Sequence, residues 1–275
     1  MRNTDNTTRS FKWLALIALV LMIIGFGGMW VFRNSGVVNA QTLEDAINVS
    51  GVDQVHISTR NQHVNVIPIS GNEAEIVASG LPNNATLNVS VEGTVLTVDV
   101  HVPRSIQIGV NIFGGIRQLA DPPTLTVYLP EGLYEQITVY TTNGRIDISD
   151  FEIVDLQLDT SNGRIVASDI TGVSARIRTN NGAVELSEVA MELDVQTSNG
   201  RITLDNETIA HDVELQSSNG AIEVNLAGEP ENVAFSLSTT NGRTEIFGNQ
   251  NTTQQFGDGR YEVTLRTTNG RIVVE

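Results

Sequence analysis

The sequence has no cysteine, which removes disulfides and thiolate metal sites from consideration. Aromatic residues make up only 5% of the chain, too few for a core built around large rings. Beyond Lys12 there is no lysine, so no lysine is available to assist catalysis in the C-terminal part. The histidines, His56, His63, His101 and His211, are scattered without the H-x-x-x-H spacing of a metal site. A Ser-His-Asp spacing is missing, as is a glycine loop followed by Lys for cradling phosphate. "GDGRYE" at residues 257–262 lacks the alternating oxygen ligands of a calcium loop and reads as a turn. After residue 33 no segment carries a helical period.

What is present begins with one apolar run. Residues 13–32 form an uncharged stretch of 20, long enough to cross a bilayer as a helix. Arg2, Arg9 and Lys12 precede it and only Arg33 follows closely, which places the N-terminus in the cytoplasm and the remainder outside. The expected organisation is a cytoplasmic tail at 1–12, a transmembrane helix at 13–32, a linker at 33–48 and an extracytoplasmic domain at 49–275. The expected localisation is that of a single-pass protein of the cell membrane, with the lipid bilayer as its first expected partner. A cleaved signal peptide ending near Ala40 is the alternative, and it exports the same C-terminal part. From residue 34 onward 12 Arg face 31 acids, a formal charge of 12 − 31 = −19. Such a charge repels nucleic acid and anionic headgroups and keeps the domain soluble, so nucleic-acid binding is excluded.

Between residues 49 and 129 apolar and polar residues alternate. "VHISTRNQHVNVIPI" and "TLNVSVEGTVLTVDVHV" each predict two strands around a turn, the second turning at Glu92-Gly93. "IFGGIRQLADPP" interrupts the pattern as a loop, and "LTVYLP" restarts a strand that Pro130 stops.

The remainder, 137–275, is a repeat. "TTNGRI" at residues 141–146 recurs with small changes, placing Asn-Gly at Asn143-Gly144, Asn162-Gly163, Asn181-Gly182, Asn199-Gly200, Asn219-Gly220, Asn241-Gly242 and Asn269-Gly270. The spacings are 19, 19, 18, 20, 22 and 28 residues, and a period near 20 marks a stacked array. Three columns stay apolar when the copies are registered on Asn. Val139, Leu158, Ile177, Val195, Leu215, Leu237 and Leu265 lie four before it. Ile146, Ile165, Val184, Ile202, Ile222, Thr244 and Ile272 lie three after it, and Ile148, Ala167, Leu186, Leu204, Val224, Ile246 and Val274 five after. Each repeat is therefore two strands sharing one buried face.

Two architectures satisfy that alternation. Asn-Gly suits a two-residue hairpin, which would make an antiparallel meander. The favoured alternative is an all-β solenoid of parallel stacked coils of about 19 residues, two strands per coil. It accounts for the preserved columns, and for the apolar residue recurring in the second connection (Phe151, Ile170, Val189), placed to plug a corner. In this reading Gly supplies a positive φ, Asn amides ladder along the axis, and the Thr or Ser two before Asn points inward. Arg178 is in register with Asp159, and Arg176 with Asp194. Ile202 falls in mid-array, whereas Ile272 falls in the last coil.

The T-[ST]-N-G-R-I repeat, the lead-in "LTVYLPEGLYEQITVYTTNG" and the alternating strands upstream resemble the bacterial putative-adhesin family of domains of unknown function. The resemblance spans residues 49–275 and implies a β-solenoid behind a membrane anchor in the cell envelope, linked to adhesion or envelope stress. It transfers no catalytic residue, and no catalytic, cofactor or metal site is expected. The expected role is a non-catalytic interaction or adhesion surface, or spacer, meeting an envelope protein or a cell-wall or surface glycan. An envelope-stress regulatory accessory acting through a membrane partner is the second class. A carbohydrate-active solenoid enzyme is the third, opposed by acids that are spread over the outer face rather than paired across a groove.

Overall fold

The computed structural model describes residues 40–103 and 122–275, and the apolar run at 13–32 lies outside them. All regular structure among the described residues is β. The N-terminal strands are β1 (Gln41–Asn48), β2 (Gln54–Ser58), β3 (His63–Ile69), β4 (Glu73–Leu81), β5 (Thr86–Glu92) and β6 (Val95–His101). Then come β7 (Thr124–Pro130), β8 (Leu133–Thr141), β9 (Ile146–Thr160), β10 (Ile165–Thr179), β11 (Val184–Thr197), β12 (Ile202–Asn206) and β13 (Val213–Ser217). The last are β14 (Ile222–Leu226), β15 (Val233–Thr239), β16 (Thr244–Ile246), β17 (Thr253–Gln255), β18 (Tyr261–Thr267) and β19 (Ile272–Val274).

The repeats stack in parallel and do not form a meander. Ile165 of β10 sits opposite Ile146 of β9 on one side and Val184 of β11 on the other, like position on like position. Strands β9, β10 and β11 each run through both faces of the coil, bending at a corner where Asp150, Asp169 and Glu188 take φ values of 64°, 54° and 50°. A left-handed conformation outside glycine is costly, and the buried Phe151, Ile170 and Val189 that follow hold it in place.

Stacking order departs from chain order at both ends. On one face β2 is inserted between β6 and β8, and on the other β3 lies between β7 and β9. At the far end β18 is inserted between β13 and β15, and β19 between β14 and β16. The first and last repeat units of the chain are thus interior layers. Ile272 is consequently not in an end coil: it lies between Ile222 and Thr244 with no exposure. Sequence spacing alone misplaces it, because stacking order need not follow chain order.

The ends are closed by antiparallel strands. β5 pairs with β6, β4 with β7, and β1 with β4, while β17 covers part of β15. Residues 41–48, read from sequence as the end of a linker, are therefore strand β1, recruited by an edge that would otherwise expose unpaired backbone. "VHISTRNQHVNVIPI" also differs from a hairpin: β2 and β3 pair with different neighbours, so the turn between them is a coil corner. The second pair, β5 and β6, is a true hairpin with Gly93 at φ 63°.

Aliphatic rows run through the stack. Val98, Ile57, Val139, Leu158, Ile177, Val195, Leu215, Leu265 and Leu237 follow one another on one face, all buried. Beyond them the longer 28-residue interval between the last two Asn-Gly pairs supplies Phe247 and Phe256. These stack edge-on with Phe235, at centroid distances of 5.5 to 6.4 Å. This small aromatic cluster closes the apolar column where the coils stop.

Candidate functional site

The corner built by the repeated Asn-Gly turn is the most regular feature of the surface. Its foundation is the Thr or Ser two residues before Asn, which alternation turns inward. Thr160 Oγ1 accepts the Gly163 N–H at 3.1 Å and donates to the Gly144 carbonyl of the neighbouring coil at 3.1 Å. Thr179, Thr197 and Ser217 repeat the same two contacts, so one hydroxyl per coil satisfies a backbone donor and acceptor that the corner leaves unpaired.

The glycines serve a purpose different from the one read in the sequence. None of Gly144, Gly163, Gly182, Gly200, Gly220, Gly242 or Gly270 is among the residues with positive φ. They are required by close approach: a Cβ on Gly163 would lie 1.7 Å from the Gly144 carbonyl oxygen, and one on Gly182 1.6 Å from that of Gly163. Positive φ belongs instead to the acidic residues of the opposite corner.

Outside this layer the asparagine amides form a line. Asn143 Nδ2 donates to Asn61 Oδ1 at 2.6 Å, and Asn162, Asn181 and Asn199 each donate to the asparagine one coil before at 2.7 Å. Asn219 donates to Asn199 at 2.8 Å, Asn269 to Asn219 at 2.7 Å, and Asn241 to Asn269 at 2.7 Å. The ladder therefore ends at Asn241, although Asn269 is last in the chain.

Its beginning, Asn61, was not visible as a repeat. Residues 59–64, "TRNQHV", are a disguised copy in which Gln62 replaces Gly and His63 replaces Arg. Gln62 is buried and its Oε1 accepts the Arg60 and Asn61 N–H groups and the Thr59 hydroxyl, closing the first corner with a side chain. The signal available in the sequence was the Thr-x-Asn frame without its glycine.

Charged side chains form parallel rows on both faces. Asp147, Glu185, Glu223 and Glu245 occupy every second coil of one row, with Val166, Thr203 and Val273 between them. At a strand spacing of about 4.8 Å this keeps like charges roughly 10 Å apart. Arginines of the adjoining row reach across coils: Arg164 to Glu185 at 3.4 Å, Arg201 to Glu223 at 3.5 Å, and Arg271 to Glu223 from the other side. Asp147 takes Arg145 Nε at 2.8 Å together with His63. On the second face Arg176 meets Asp194 as the register predicts, at 3.5 Å. Arg178 turns to Asp194 as well, at 3.4 Å, rather than to Asp159, which accepts from Gln157. Exposed pairs of this kind contribute about 0–1 kcal/mol each, so the rows specify register more than they stabilise.

The four histidines are not brought together, and among the described residues no group of three His, Asp or Glu side chains is arranged to hold a metal ion. Tyr134 is an isolated buried phenol that donates to the Pro130 carbonyl at 2.8 Å, and burial pushes its pKa up to about 12.

A family model described as Toastrack DUF4097 matches residues 52–187 and again residues 148–275. No protein of curated function matches the sequence significantly. Among solved structures, a putative adhesin from Bacteroides fragilis is similar at 10% identity and a TM-score of 0.42, over 86% of this chain and 97% of the other. A putative adhesin from Parabacteroides distasonis gives 12% identity and a TM-score of 0.40, over 86% and 98%. A putative cell adhesion protein from Clostridium sporogenes gives 13% and 0.36, over 86% and 99%.

Proposed function

The chain belongs to the Toastrack DUF4097 family, and from that membership and the rows on its surface we propose that it is a non-catalytic interaction element of the cell envelope. The anchor is the apolar run at 13–32, with the N-terminus cytoplasmic and the solenoid outside. The observation that carries the reading is the alternation of Asp147, Glu185, Glu223 and Glu245 with uncharged residues at constant spacing. Equivalent polar positions repeat about every 10 Å along a stiff face, a pitch on which a repetitive partner such as a cell-wall or surface glycan can make several weak contacts at once. Affinity then accumulates over positions and is not concentrated in one pocket.

The test replaces the acids by their amides, Asp147→Asn, Glu185→Gln, Glu223→Gln and Glu245→Gln, singly and together. Binding to cell-wall fragments and release of soluble glycan are both measured. Each single change is expected to weaken binding by a few-fold at most, and the four together by 10²-fold or more, because linked contacts multiply. Loss of all binding from one substitution, or glycan release that one substitution abolishes, would refute the proposal.

A further inference from the structure

Asn followed by Gly is the dipeptide most prone to spontaneous deamidation, because glycine leaves its own nitrogen sterically free to reach the side-chain carbonyl carbon before it. The chain holds seven such pairs in one line, and the fold treats one of them differently. Gly144, Gly163, Gly182, Gly200, Gly220 and Gly270 are buried, whereas Gly242 is exposed. Five of the buried glycines have their N–H engaged by the Thr or Ser hydroxyl of the same corner, at 2.8 to 3.2 Å. Neither the Gly242 nor the Gly270 N–H has a hydrogen-bond partner among the described residues, so these two are separated by burial and by the ladder. The asparagines differ in the same sense. Each of the other six repeat asparagines both donates to one neighbour in the ladder and accepts from the next, while Asn241 only donates, to Asn269.

We propose that Asn241 is a self-modification site, converting to aspartate or isoaspartate while the six other Asn-Gly pairs stay protected by the stack. The Gly242 nitrogen, having lost its proton to solvent base, attacks Cγ of Asn241. A C–N bond forms in a five-membered succinimide, the Cγ–Nδ2 bond breaks, and Nδ2 leaves as ammonia. Water then adds to either ring carbonyl and opens the ring. One water is consumed and one ammonia released, with no oxidant, metal or enzyme required. An interior pair must first give up two ladder hydrogen bonds and, in five of the six, the glycine N–H contact. Asn241 gives up one. Conversion also sets a carboxylate against Asn269 Oδ1, two acceptors face to face, so the outermost rung is lost and the end coil loosens.

The experiment incubates the full-length protein in mildly alkaline buffer and follows each of the seven sites by peptide mapping with detection of isoaspartate. Conversion at Asn241 is expected to run at least about tenfold faster than at any other site, the ratio that one or two retained hydrogen bonds impose on a barrier. In guanidinium the seven rates should converge. Asn241→Gln, which would have to form a less favourable six-membered ring, should abolish the fast component and leave the remaining sites unchanged. Seven similar rates in the folded protein, first conversion at an interior site, or a fast component that survives Asn241→Gln would each overturn the proposal.

Discussion

At the scale of single residues, three atoms per coil decide whether the corner closes. The Thr hydroxyl bridges two coils, the missing Cβ of Gly lets them approach, and the Asn amide ties the outside. Thr179→Val keeps the shape and removes the bridge, leaving the Gly182 N–H and the Gly163 carbonyl unsatisfied in a buried corner. A loss of about 2–3 kcal/mol in denaturant unfolding is expected. Gly182→Ala drives a methyl into a carbonyl oxygen that belongs to the backbone and cannot rotate away, and should cost about 3 kcal/mol. Gly228→Ala, where nothing lies within 4 Å of the added carbon, should change stability by less than about 0.5 kcal/mol. Equal effects of the two glycine substitutions would show that close approach is not what selects glycine at the corner.

At the scale of elements, the inserted layers make the chain end structurally central. In a solenoid stacked in chain order, damage to the last repeat frays one end and little more. Here β18 and β19 hold β15 and β16 against β13 and β14. Ile272→Asp should therefore be as harmful as Ile202→Asp, each burying an unpaired charge between two coils at a cost of several kcal/mol. Thr244→Asp, in the true end coil and only half-buried, should be mild. Thermal unfolding of the three variants checks the order. A Thr244→Asp protein as unstable as the Ile272→Asp protein would contradict the stacking order.

At the scale of the whole molecule, nine coil layers give the described part a stack about 40 Å long at strand spacing, with antiparallel strands closing both ends. With the anchor and orientation proposed above, that geometry suits an object that presents or spaces a surface beyond a membrane. Protease added outside intact cells, with any outer membrane permeabilised, is expected to digest the solenoid and leave a short membrane-embedded remnant containing residues 13–32. A solenoid that stays protected until the cells are lysed would rule out the extracytoplasmic orientation.

The residues by themselves determined the period and the inward columns and favoured the parallel coil over a meander, which the strand pairing then decided. Burial forces alternation to be written at every position of a strand, and a stack repeats each position in its neighbours. Asn143, Asn162 and Asn181 were legible as a line for the same reason. Only the tertiary structure decided the order of the coils, since an aliphatic row such as Leu215, Leu265 and Leu237 is equally well packed in either sequence of layers. The disguised first corner at Asn61 and Gln62 escaped the motif because a side chain supplies there what a hydroxyl and a glycine supply elsewhere. The division between buried Gly220 and exposed Gly242 was likewise invisible, because it depends on which coil has a neighbour on both sides, and the same Asn-Gly pair written twice cannot record that.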